Sequence, residues 1–122
     1  MTKITRFEDL ECWQEAVNLA EKIYKITKQG EFKSDFGFRD HIRKTAISVA
    51  SNIAEGKERE TVNEFIRFLY IAKGSAGELR TQLIIANRIG YLNDQEKLEL
   101  IEKIVKIGGM IGNLIKSLKK GR

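Results

Sequence analysis

The sequence predicts an all-α protein, an antiparallel up-down-up-down four-helix bundle. Three observations carry that prediction. The chain has no proline and is rich in Ala, Leu, Ile, Glu and Lys, residues that lose little on entering a helix. Its apolar residues recur at spacings of three and four, with no sustained period-two alternation to mark strands. The polar links between the periodic stretches are short, so each helix must return alongside its predecessor. At 122 residues the whole of 1–122 reads as one domain, large enough for a core without disulfides or metals.

The first helix is expected at about 8–28, with Thr5 and Glu8 spaced as a capping box, or Glu8 and Asp9 beginning a slightly later first turn, and Gly30 as its stop. Leu10, Trp13, Val17, Ala20, Tyr24 and Thr27 form its stripe. The connector GEFKSDFG follows, with Ser34 or Asp35 available as a cap; its Phe32, Phe36 and Phe38 should fold over a bundle end or dock on a neighbouring chain. The second helix is expected at about 35–55, closed by a left-handed Gly56. Thr61 and Glu64 open the third, at about 61–89, which Gly90 stops. Asn93 and Glu96 open the fourth, at about 94–118. Gly74 and Gly77 in the third helix, and Gly108, Gly109 and Gly112 in the fourth, each cost about 1 kcal/mol relative to alanine. Close approach of another helix, from within the chain or from a neighbour, would offset that loss, and the three glycines of the fourth helix could instead mark a site of local bending.

The second helix is the least ordinary. Ile42, Ala46, Val49, Ala50 and Ile53 form an apolar stripe, yet Ser48, Ser51 and Asn52 stand among them. Together with Glu55, and with Ser75, Glu78 and Gln82 of the third helix, they are expected to form a buried polar network that fixes helix register. An active site on Ser48, Asn52 and Glu55 is the alternative.

Catalytic and metal chemistry find little support. One histidine, His41, and one cysteine, Cys12, offer no zinc or di-iron ligand set, and no glycine-rich phosphate loop follows a strand. The expectation is a protein that is not an enzyme and takes no cofactor. His41 reads as a hydrogen-bonded surface residue, Cys12 as a buried hydrophobe in a reducing compartment. No apolar run approaches the roughly 20 residues of a membrane span, and acids stand where a signal peptide needs its apolar core. The expected location is the cytoplasm, with no membrane partner.

The net charge of +5 is unevenly placed. Residues 1–102 hold sixteen Lys and Arg against seventeen Asp and Glu; beyond Glu102 there are no acids and six cations. Lys116, Lys119, Lys120 and Arg122 could attract a phosphate backbone, although cations also complement a helix C-terminus. Arg39 and Arg43 share one face of the second helix, and Lys44 points about 100° away. Salt bridges to Asp40, Glu55 or a neighbouring helix would account for them. Repetition about an axis would instead make them a cationic ring. The apolar stripes are wider than one bundle can bury, so a homo-oligomer is expected.

The segments FEDLECWQEA, HIRKTAISVASNIAEG, EFIRFLYIAKGSAGELRTQL and NRIGYL together resemble the small bacterial four-helix bundle proteins encoded in intervening sequences of 23S ribosomal RNA genes. The resemblance covers nearly the whole chain. It implies a cyclic, homopentameric ring with a basic surface, and kinship with the accessory variability proteins of diversity-generating retroelements, which bind a reverse transcriptase and nucleic acid. It supplies no catalytic residues. His41 replaces a common glutamine, and Val49 stands where proline often kinks the helix, which predicts a straighter second helix here. The leading expectation is a non-enzymatic oligomeric scaffold that binds RNA or DNA through Arg39, Arg43, Lys44, Lys116, Lys119, Lys120 and Arg122. A purely structural protein–protein module is the rival.

Overall fold

The computed structural model describes residues 6–121, which form five α-helices and no strand. Four are long: α1 (Glu11–Ile26), α3 (Phe36–Glu58), α4 (Val62–Arg88) and α5 (Asp94–Lys120); α2 (Gly30–Ser34) is a five-residue helix. The first helix starts later than its periodicity suggests, because a 3-10 turn at Phe7–Asp9 is followed by extended backbone at Leu10. Phe7 packs on Trp13, ring centres 5.3 Å apart, and so ties that turn to α1. Thr5, the proposed cap, lies outside the described residues.

The connector is not a plain loop. Phe32 is buried against Phe38 and Tyr91, with ring centres 5.3 and 5.1 Å away, and this packing gives GEFKS a reason to coil into α2. Two of the three phenylalanines thus close one bundle end, while Phe36 is 65% exposed. Asp35 caps α3 by accepting from the Phe38 N–H at 3.2 Å. From there α3 continues without a break at Val49.

Gly56 does not stop α3, which runs on to Glu58. It is buried, and a Cβ there would lie 2.8 Å from the Phe68 Cβ and 3.1 Å from the Phe65 carbonyl. The glycine serves close helix packing instead of a left-handed turn. Gly90 does take that turn, at φ +87°, and the N–H groups of Gly90 and Tyr91 bond to the carbonyls of Asn87 and Ala86 in a Schellman arrangement. Thr61 accepts from the Glu64 N–H, and Asn93 and Glu96 form a full reciprocal capping box.

Four contacts set the helix directions. Tyr91 reaches Asp35, Ser75 meets Ser48, Lys119 meets Tyr70, and Lys106 lies 3.9 Å from Glu15. With the short links between them, and with Arg43 of α3 reaching Thr27 at the end of α1, consecutive long helices are antiparallel, and α5 returns against α1. Leu19, Ile23, Ile42, Ile53, Leu69, Leu79, Leu83, Ile104 and Ile111 fill the shared core. Ile71, Ile85, Ile89, Leu98 and Val105 remain outside it. Apart from the chain neighbours and local helix backbone, no atom of the described residues comes within 4 Å of a Cβ placed at Gly74, Gly77, Gly108 or Gly109, so the close approach expected there is not made among the described residues.

Candidate nucleic-acid interface

The end closed by Phe32 holds Arg39 and Arg43, and both are engaged there. Arg39 donates to Asp40 Oδ1 at 2.9 Å and to the Lys33 carbonyl at 3.1 Å, with its guanidinium 4.8 Å from the centre of the Phe36 ring. Arg43 donates to Thr27 Oγ1 at 2.8 Å and lies 4.6 Å from the centre of the Tyr24 ring. These bonds tie α3 to α2 and α1. Lys44 is exposed beside them.

The opposite end is different in kind. There the first half of α4 runs beside the last half of α5, and each is a stretch without acids: none between Glu64 and Glu78, none after Glu102. Lys119 Nζ donates to Tyr70 Oη at 2.7 Å, and Tyr70 is 48% exposed. Lys73 Nζ reaches across to α5, 4.0 Å from where a Gly112 Cβ would sit. Lys116 and Lys119 follow Gly112 by one and two turns on that side, with Lys120 at the helix end. Arg67 precedes Tyr70 by three residues; its guanidinium lies 5.6 Å from the Phe68 ring centre, and that of Arg59 4.7 Å from it. Arg59 is also bonded to Glu55 at 2.7 Å.

Within one chain, the six described cations among the seven named from sequence therefore fall into two groups. Arg39, Arg43 and Lys44 lie on one side of the Ser48–Ser75 pair along the bundle and Lys116, Lys119 and Lys120 on the other, where Lys119 meets Tyr70. Arg122 lies outside the described residues. Arg67 and Lys73 join the second group and were missed. Their signal was the acid-free window 65–77, which gains meaning only once it faces the acid-free end of α5.

The profile of the 23S rRNA-intervening sequence proteins matches residues 8–113. The chain belongs to that family. No curated protein matches it. A 1.70 Å crystal structure of a protein of unknown function from the S23 ribosomal protein family of Bacteroides thetaiotaomicron is similar in fold. It has a TM-score of 0.79 at 21% identity, over 86% of this chain and 98% of that one.

In this intervening-sequence protein the polar residues between α3 and α4 divide into separate groups. Ser48 and Ser75 share a 2.9 Å bond, and Asn52 donates to the Ser48 carbonyl at 2.8 Å and its hydroxyl at 3.0 Å. Gln82 donates to Thr45 at 3.1 Å; Thr45 was not anticipated. Ser51 bonds within α3 to Ile47, Glu55 turns to Arg59, and Glu78 faces His41 at 3.5 Å. One continuous network of all seven predicted residues is not formed. No cluster of three metal-ligating side chains exists among the described residues, and none of their helices is long and apolar enough to cross a membrane. Cys12 is buried, and desolvation raises its thiol pKa. An open groove of about 510 Å³ between α1 and α3 is walled by Trp13, Val17, Ala20, Tyr24 and Ile47.

Proposed function

We propose that this intervening-sequence protein is a non-enzymatic cytoplasmic scaffold that binds RNA or DNA as a cyclic oligomer. The single observation that supports the reading is the α4/α5 end, where Lys73, Lys116, Lys119 and Lys120 stand on facing stretches of helix that contain no acid. Phosphate backbones are attracted to such a surface, and copies arranged about an axis would multiply its field. Five copies, and a role beside a reverse transcriptase, are what the resemblance to the intervening-sequence family implies, through its kinship with ring-forming accessory proteins. Arg39 and Arg43 are reassigned to holding α3 in place. The test is binding of labelled oligonucleotides across a salt series, with particle mass measured in solution. Binding that weakens steeply with salt, by an assembly larger than one chain, is expected. No binding at low salt overturns the nucleic-acid reading.

The rival, an assembly module with protein partners alone, draws on the apolar α1/α3 groove and the exposed Ile71, Ile85 and Ile89. It is favoured by an oligomer that binds no nucleic acid.

A further inference from the structure

Tyr70 gives the cationic end a feature that charge alone does not explain. A lysine that merely closes a helix end needs no aromatic partner; solvent or a terminal carbonyl suffices. Here Lys119 holds the phenol by its hydroxyl at 2.7 Å, while its ammonium is 5.1 Å from the ring centre. The contact is therefore at the oxygen end of the ring. It restrains a side chain that is 48% exposed, so less conformational freedom remains to be lost when a ligand meets it. Arg67 and Lys73 flank Tyr70 at three residues on either side along α4, about 9 Å from end to end, and Lys116 lies on the facing stretch of α5. An exposed aromatic ring among cations, on stretches of helix that contain no acid, is the arrangement that stacks a base while the neighbouring charges hold its phosphates. A duplex offers its phosphates to such a surface but keeps its base faces covered by their neighbours.

We infer that the α4/α5 surface around Tyr70 is a binding site for single-stranded nucleic acid, with one base stacked on Tyr70 and adjacent phosphates on Lys73, Lys116 and Lys119. The inference rests on the nucleic-acid reading above and sharpens it from charge attraction to strand type. Stacking uses the face of the ring and not its hydroxyl, so phenylalanine should replace Tyr70 and alanine should not. The lysines supply charge, so their loss should change the salt dependence.

The experiment uses the full chain and a fluorescein-labelled oligouridylate, measured by anisotropy against a blunt RNA duplex of the same number of phosphates. Wild type is expected to prefer the single strand. Tyr70→Ala should weaken single-strand binding about 5- to 150-fold, the loss of one stacked base, and leave duplex binding and the salt slope nearly unchanged. Tyr70→Phe should retain most of the affinity. A double variant, Lys116→Gln with Lys119→Gln, should flatten the salt slope by about 1.4. Circular dichroism melting of each variant separates a binding loss from a folding loss. If the protein binds both probes by charge but Tyr70→Ala matches wild type, or the duplex is bound equally well, this inference is overturned and the broader reading survives. If neither probe binds wild type at low salt, both fall.

Discussion

The two ends of the bundle carry similar numbers of cations and differ in what those cations face. At the Phe32 end, an aspartate, a backbone carbonyl, a threonine hydroxyl and two aromatic rings meet Arg39 and Arg43. At the Tyr70 end, Lys73, Lys116, Lys119 and Lys120 stand on stretches of helix that contain no acid. Coulomb attraction is local in salt water, falling off within about 8–10 Å, so the surroundings of a cation decide whether it holds the fold or attracts a ligand. The first end is cemented and the second is open.

The largest effect should come from loosening the cemented end. Phe32→Ala removes a side chain that is 1% exposed and should cost about 3–5 kcal/mol in denaturant unfolding, while the folded fraction keeps its affinity for nucleic acid. A near-normal unfolding midpoint would mean that α2 is not what closes that end. Next, Gly56→Ala places a methyl 2.8 Å from another Cβ and 3.1 Å from a backbone carbonyl, neither of which is a yielding side-chain tip. Overpacking of about 1–3 kcal/mol should outweigh the roughly 1 kcal/mol gained in helix propensity, and thermal melting reads the balance.

Binding separates the ends directly. Lys73→Gln combined with Lys119→Gln should weaken oligonucleotide affinity by roughly tenfold at low salt, whereas Lys44→Gln at the other end should change it little. Equal losses would erase the distinction between the ends. A smaller test concerns Gly74, where no described residue beyond the local helix backbone comes within 4 Å of an added Cβ. Gly74→Ala should raise stability by about 0.5–1 kcal/mol; a loss, together with a smaller particle in solution, would place a neighbouring subunit against that glycine.

The smallest effect is in alkali. Tyr91 donates to Asp35 Oδ2 at 2.8 Å, and that bond, with some desolvation and the charge of the carboxylate, raises its pKa above the ordinary 10.0. The unfolded chain therefore releases this proton first. The stability it contributes is present below about pH 10 and is lost as pH rises through the folded-state value. Wild type minus Tyr91→Phe, followed by urea midpoints from pH 8 upward, should show that slope.

Much of the fold was legible. Asn93 with Glu96, Thr61 and Gly90 act where spacing placed them, because caps and left-handed turns depend on residues within a few positions of one another. Gly56 was misread for the complementary reason. A glycine that ends a helix and one that admits another helix look alike in sequence, and only the position of Phe65 and Phe68 tells them apart. Phe32 shows the same limit, since its burial against Tyr91 joins residues far apart in the chain and turns an expected loop into α2.

The candidate site divides along the same line. The sequence alone determined the helical class, the acid-free tail and the scarcity of metal ligands, since these depend on which residues are present and how they are spaced. Which cations share a surface was decided by the antiparallel return of α5 along α4. That pairing sets Lys119 against Tyr70, forty-nine positions away, and brings in Lys73 from a helix whose own charge gave little signal. Screened electrostatics acts over distances in space, and separation along the chain does not encode them.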